Sequence, residues 1–308
     1  MKKDFIALAD FSKSELMDLL DLALSLKKEL ETGGNKPLLK NKTLALVFNK
    51  PSLRTRISFE MGMRHLGGDA LFISPNEIGL GKRESIADVA RVLAGYVDGI
   101  MARVFEHQHV VELAKWSSVP VINGLSDYNH PCQAFTDVFT IYEHFGSITD
   151  KNVAFIGDGN NVAVSLLNAC AILGANYIIA SPQGYQIDQK SWDYALNLAK
   201  SSGAQLKMVE DPIEAATGSD VIYTDTWTSM GQEEESQKRE AVFPPYQVNS
   251  ALLKHANPSA IVMHCLPAHR GQEITDEVAD GPQSVIFRQA HNRMHAQKAI
   301  LVRLLGEN

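Results

Sequence analysis

Three short polar segments of this chain carry side chains that could do chemistry. The first, Ser52-Leu53-Arg54-Thr55-Arg56, follows an apolar run ending at Phe48 and precedes a helical stripe of Phe59, Met63 and Leu66. Hydroxyls, backbone N–H groups and an arginine at a helix start suit a phosphate-like anion. The second is His130-Pro131-Cys132-Gln133. Pro131 fits the first helical position and forces His130 to be extended. His130 can then donate to a carbonyl oxygen, and Gln133 can read an amide-like group. The third, His264-Cys265-Leu266-Pro267, follows the apolar run 260–263. It presents a thiol and a turn at the carboxyl end of an expected strand, the edge where open α/β sheets bind ligands. Arg103 closes another expected strand, 99–102, at the same kind of edge.

The second half of the chain adds groups for a polar ligand. Gly157-Asp158-Gly159-Asn160-Asn161 follows the expected strand 153–156 and resembles a dinucleotide turn. Val162 stands at the third glycine position, and the next strand ends in Ala180-Ser181 without an acid. Both departures speak against a nicotinamide cofactor. Asn161 can instead offer its amide to a polar ligand. Asp225, after the expected strand 221–224, can hold an ammonium group, and Ser229 with nearby backbone can hold a carboxylate. Cys265 is a possible nucleophile with His264 or His269 as base. Neighbours in a strand face opposite ways, however, so His264 and Cys265 make a poor pair. Zinc at this segment lacks further ligands. A cis Leu266-Pro267 bond would turn the Leu266 carbonyl toward the ligand.

The elements that must position these groups follow from patterning. The chain has 308 residues, 45% of them hydrophobic, which favours two domains. Its net charge of -7 opposes nucleic acid and anionic membranes, so any phosphate site must be a local basic pocket. Cys132, Cys170 and Cys265 form no C-x-x-C pair, which argues against structural zinc and suits a reducing cytoplasm. The apolar stretch near the N-terminus is broken by Asp10, unlike a signal peptide. Ser12 and Glu15 have capping-box spacing before a helical stripe of Leu16, Leu19, Leu20, Ala23 and Leu30. Strands are then expected at 43–48, 70–73, 99–102 and 120–122, with helices between them. After a break near 146–151 a second series follows, at 153–156, 177–180, 205–209, 221–224 and 260–264. Such alternation implies α/β architecture, with a parallel sheet flanked by helices in each domain. The last helix is expected over 290–305. The polar run 231–240 could be a solvated face or part of a mobile lid.

Taken together, these segments resemble the ornithine carbamoyltransferases, in order and spacing, from about residue 4 to the C-terminus. The resemblance implies carbamoyl transfer from carbamoyl phosphate to the δ-amine of L-ornithine. It implies a cytoplasmic homotrimer, or a higher multiple of trimers, with no metal or organic cofactor. It implies a carbamoyl-phosphate domain at 1–146, an ornithine domain at 147–289 and a helix at 290–308 packing back on the first. Ser52, Leu53, Arg54 and Thr55 would hold phosphate. Arg103 would bridge phosphate and carbonyl oxygen, to which His130 would donate. Gln133 and the Leu266 carbonyl would accept from the carbamoyl amine, with Arg293 near the same group. Asn161, Asp225, Ser229 and Met230 would bind the amino-acid end of ornithine, and Cys265 would sit beside the attacking amine. Three positions depart from the family pattern. Leu53 replaces a threonine, Gly79 stands where glutamine or histidine is usual, with Lys82 or Arg83 as substitutes, and His291 replaces a glutamate. The alternatives are a sister enzyme acting on putrescine or an N-acylated ornithine, or a non-catalytic metabolite-binding relative.

Overall fold

The computed structural model describes residues 3–81, 83–228 and 233–306. The chain divides into two compact units: Met1–Phe139 with His291–Asn308, and Thr140–Ala290.

The first unit opens with α1 (Lys13–Thr32). Its capping box forms as the spacing requires: Ser12 N donates to Glu15 Oε2 at 2.9 Å, and Glu15 N to Ser12 Oγ at 3.3 Å. Leu16, Leu19, Leu20, Ala23 and Leu26 are buried, whereas Leu30 is half-buried. The chain continues through β1 (Thr43–Phe48), α2 (Leu53–His65), β2 (Asp69–Ile73), α3 (Pro75–Ile78) and α4 (Ile86–Ala94). It goes on through β3 (Gly99–Arg103), α5 (His107–Trp116), β4 (Val121–Leu125) and α6 (Pro131–Phe145), which continues into the second unit. All pairings in this sheet are parallel, in the order β2-β1-β3-β4. Ala45, Val47, Ile100 and Ala102 pack on one face with Val89, Val110 and Leu113, while Leu44, Leu46 and Met101 fill the other. A parallel sheet covered on both faces reads as continuous apolar runs, which is why these strands were legible.

The fourth strand runs to Leu125 rather than ending at 122. Its Asn123-Gly124 pair hides the pattern: Asn123 is fully buried, and a Cβ at Gly124 would lie 2.4 Å from Met101 Sδ.

The second unit contains β5 (Asn152–Ile156), α7 (Asn161–Leu173), β6 (Asn176–Ala180), α8 (Gln189–Ser202), β7 (Leu206–Val209) and α9 (Pro212–Ala216). Then come β8 (Val221–Thr224), α10 (Ser236–Val242), α11 (Ser250–Leu253), β9 (Ile261–His264) and α12 (Asp276–Ala279). This sheet is also parallel, in the order β7-β6-β5-β8-β9. The last helix, α13 (Ile286–Leu305), starts four residues before the expected 290. Burial of Ile286 outweighs the weak helix propensity of Val285-Ile286-Phe287. From His291 onward it belongs to the first unit. No helix among the described residues is long and apolar enough to cross a membrane.

Gly159 shows why the glycine-rich turn is not a nucleotide cradle. Its N–H donates to Tyr185 O at 2.8 Å, and a Cβ there would lie 2.3 Å from Ile187 N and 2.5 Å from Gln186 C. The glycine admits the chain's own backbone where a dinucleotide turn admits pyrophosphate. Gly159→Ala is therefore expected to lower the unfolding free energy by ~1–3 kcal/mol, as overpacking does. Urea denaturation measures this; an unchanged midpoint would show that the turn yields freely.

Candidate active site

The cationic cluster is built at the start of α2. Ser52 is the N-cap: its Oγ accepts from Thr55 N at 3.3 Å and donates to Thr55 Oγ1 at 3.1 Å. Thr55 is fully buried, and its Oγ1 also accepts from Arg103 Nη1 at 3.4 Å and Arg293 Nη2 at 3.1 Å. Arg103 ends β3, where the ladder to β4 shifts register: Ala102 faces Asn123 but Arg103 faces Leu125. Such a bulge re-aims side chains at a strand end. Arg54 is half-buried, while the Leu53 side chain is 75% exposed, so residue 53 offers this site backbone alone.

His130 and Gln133 sit at the start of α6. His130 is buried, and burial together with the charges of Arg293, Arg103 and Arg54 holds its imidazole well below the ordinary value of 6.5. A neutral ring keeps one N–H to donate. Gln133 is buried with both ends of its amide engaged: Oε1 accepts from Arg293 Nη1 at 2.8 Å, and Nε2 donates to Asp137 Oδ1 at 2.8 Å. Cys132, between them, donates to Asn123 O at 3.3 Å, and burial pushes its thiol up to about 12. It is packing, not chemistry. Two of the family departures have local answers in this unit. Gly79 caps α3 in the left-handed conformation (φ 49°), which favours glycine. His291 is exposed, whereas Arg293 is fixed by Gln133 and Thr55. Lys82 lies outside the described residues.

The second unit gathers a different set around Asp225, at the end of β8. This buried carboxylate receives Asn160 Nδ2 at 2.9 Å on one oxygen. The other oxygen receives Thr226 N at 2.8 Å and the Cys265 thiol at 2.9 Å. Asn160 is the N-cap of α7, its Oδ1 accepting from Val162 N and Ala163 N at 2.9 and 3.1 Å. Asn161, the residue singled out from sequence, is the first residue of α7 and half-buried. Asn160 is the one that orients Asp225. An asparagine directly before a long apolar helix is a cap signal that could have found it. Ser229 and Met230 lie outside the described residues.

Cys265 has no base in His264. That ring is fully buried; Nδ1 accepts from Leu266 N at 2.9 Å and Nε2 lies 3.0 Å from Glu273 Oε1. These partners place the proton on Nε2. Asp225, His264 and Cys265 bring potential metal-ligand atoms within 4.8 Å of one another. Two of those atoms are already engaged, Nδ1 with Leu266 N–H and the thiol with Asp225. The Leu266-Pro267 bond is cis, and Leu266 has a positive φ of 58°. Sequence reasoning also missed Arg239, which pairs with Asp158 at 2.8 Å and donates to Trp227 O at 2.8 Å, both side chains buried.

Hydroxyl and guanidinium groups converge at one parallel sheet and a carboxylate held by neutral donors lies at another, an arrangement that suits a group transferase acting on an anion and an amine. The comparisons agree. Residues 3–143 match the carbamoyl-P binding domain of the aspartate/ornithine carbamoyltransferases, and residues 149–304 match their Asp/Orn binding domain. An ornithine carbamoyltransferase of Pyrococcus abyssi is 51% identical over 304 residues, covering 99% of this chain and 96% of that protein. The anabolic ornithine carbamoyltransferase of Pyrococcus furiosus is 50% identical over the same shares. The solved ornithine carbamoyltransferase from Pyrococcus furiosus superposes with a TM-score of 0.96, covering 99% of this chain and 97% of that one. The chain belongs to the aspartate/ornithine carbamoyltransferase family.

A depressed histidine binds its proton first in the unfolded chain. Stability that His130 supplies is therefore present above pH 6.5 and lost as pH falls toward its lowered folded value. In His130→Gln the acid side of the stability profile should flatten. The wild-type ring should still be neutral at about pH 6 by NMR; a ring half-protonated at its ordinary value would refute the buried, cation-ringed environment.

Proposed function

We propose that this protein transfers the carbamoyl group of carbamoyl phosphate to the δ-amine of L-ornithine, giving L-citrulline and phosphate in the biosynthetic direction. The observation that carries the reading is the presence, in one chain of this family, of two unlike sites. One is a buried cationic cluster around Thr55, and the other is a carboxylate, Asp225, held by neutral donors. Residues 1–146 serve carbamoyl phosphate, 147–289 serve ornithine, and the helix 290–308 completes the first domain.

Ser52, Leu53 N–H, Arg54 and Thr55 bind the phosphate, and Arg103 bridges it to the carbonyl oxygen. His130 donates to that oxygen as it gains charge. Gln133 and the Leu266 carbonyl accept from the carbamoyl –NH2, and Arg293 braces Gln133. Asp225 takes the α-ammonium of ornithine, with Asn161, Ser229 and Met230 at the same amino-acid end and Cys265 beside the reacting amine. The δ-amine attacks the carbonyl carbon, a tetrahedral centre forms, and the C–O bond to phosphate breaks, the departing phosphate taking the proton that the amine gives up. Carbamoyl phosphate is a mixed anhydride and already activated, so the chemistry asks for no cofactor. Cys265, its proton directed at Asp225, is not needed as a covalent nucleophile.

The active assembly is a homotrimer in the cytoplasm. Leu53 and Ile57 on α2, with Leu71 and Phe72 on β2, are exposed apolar side chains, and Arg56 lies over the Phe72 ring at 4.0 Å. Exposed apolar side chains beside charged ones suit a second copy of the chain.

Purified protein should form citrulline from carbamoyl phosphate and ornithine. Putrescine, N-acetylornithine and aspartate should serve poorly, and a better rate with any of them would reassign the acceptor. His130→Ala should lower kcat by ~100–1,000-fold, the usual loss for one oxyanion donor. The rate should rise with pH through an apparent value below the ~10.4 of a free alkylammonium, because only the neutral amine attacks. Trapping a carbamoyl thioester on Cys265 would overturn direct transfer. Sedimentation should report three chains per particle or a multiple of three.

A further inference from the structure

Asp137 has no part in the roles given above, yet its placement is too specific for packing. It is fully buried one helical turn after Gln133 on α6 and accepts from Gln133 Nε2 at 2.8 Å. At the other end of the same amide, Arg293 Nη1 donates to Gln133 Oε1 at 2.8 Å. A guanidinium can only donate and a carboxylate can only accept. The amide is thus gripped between a donor-only and an acceptor-only group, and one of its two orientations fits. Turned over, it would set Nε2 against Arg293 and Oε1 against Asp137, losing both bonds and leaving buried groups unsatisfied.

We infer that Asp137 is a specificity-positioning residue: by fixing the Gln133 amide with its oxygen toward Arg293, it makes the site read the –NH2 of a carbamoyl group against the –CH3 of an acetyl group. This rests on the proposed function, in which Gln133 accepts from the carbamoyl amine. Gln133 Oε1 has two lone pairs. Arg293 uses one and a carbamoyl N–H takes the other. Acetyl phosphate carries the same phosphate and the same carbonyl, but a methyl group where that acceptor requires a donor. A site built around a hydrogen bond rejects an analogue that cannot make it. With no acceptor at position 137, the amide loses one of its two anchors and can turn. Recognition of –NH2 weakens while phosphate binding is untouched.

The test compares three constants in wild type, Asp137→Asn and Asp137→Leu: KM for carbamoyl phosphate, and the inhibition constants of acetyl phosphate and inorganic phosphate. Citrulline formation by the wild type is read first; its absence would bring down the proposed function rather than this inference. Asp137→Leu should raise KM for carbamoyl phosphate about tenfold, the scale of one lost charge-assisted hydrogen bond, and leave both inhibition constants within about twofold. Preference for carbamoyl over acetyl then falls about tenfold. Asp137→Asn, isosteric and still an acceptor through Oδ1, should keep most of the preference. Should the leucine variant not fold, Asp137→Ser replaces it, its hydroxyl being too short to reach Gln133. An unchanged preference in the folded variant overturns the assignment. So does a loss of phosphate inhibition in step with carbamoyl phosphate, which would mark a structural role alone.

Discussion

Positive charges buried together constrain everything in the first unit. The guanidinium groups of Arg103 and Arg293, 5% and 3% exposed, both reach Thr55 Oγ1. Burial first, and then their charges with that of Arg54, hold His130 well below its ordinary value. Burying like charges is unfavourable unless hydrogen bonds and counter-charge offset it. The protein supplies part of that offset through Thr55 and the Gln133 oxygen. In a chain with a net charge of -7 these cations are thus gathered by local arrangement.

The strand order explains where such a cluster can exist. In the first sheet β1 lies between β2 and β3, so the chain leaves β1 on one side and later returns on the other. Connections diverge there, and the carboxyl ends of β1 and β3 stay uncovered. Asn49 N donates to Arg103 O at 2.8 Å across that point, setting the turn before Ser52 against the end of β3. The second sheet repeats the device. There β5 lies between β6 and β8, and the Asn160–Asp225 hydrogen bond spans the ends of β5 and β8. One topological feature is used twice, once lined with cations and once with a carboxylate.

Much of this was legible in the sequence because parallel strands are apolar throughout and helix caps are chemically explicit. The strands at 43–48 and 221–224 fall where the pattern puts them, and the Ser12–Glu15 and Ser52 caps form as their spacing requires. What escaped has a common physical cause. Asn160, Asp137, Arg239 and Glu273 act through partners distant along the chain or through one helical turn of side-chain geometry, and their residue types are ordinary in loops and on helix surfaces. The Gly157–Gly159 pair resembles a dinucleotide turn with departures that speak against the cofactor, and Gly159 is filled by the backbone of Gln186 and Ile187. Sequence shows that a residue without a side chain is required. It does not show whether ligand or protein takes the room.

The two acids of the second unit carry this distinction furthest. Asp158 and Asp225 lie at the ends of adjacent strands, both buried. Burial pushes Asp158 up, but Arg239 answers its charge directly at 2.8 Å and ties it to the Trp227 carbonyl. Asp225 is held by an amide, a backbone N–H and a thiol, all neutral donors. Hydrogen bonds from neutral groups orient a carboxylate without cancelling its charge. Asp158 is thus spent on fixing the segment that carries Arg239, while Asp225 meets neutral donors. Under the proposed function an amino acid bearing two amines would set its α-ammonium against that carboxylate, which favours the charged form there although the free α-amine is the weaker base. Its side-chain amine must then give up a proton against an ordinary value of about 10.4 before it can react.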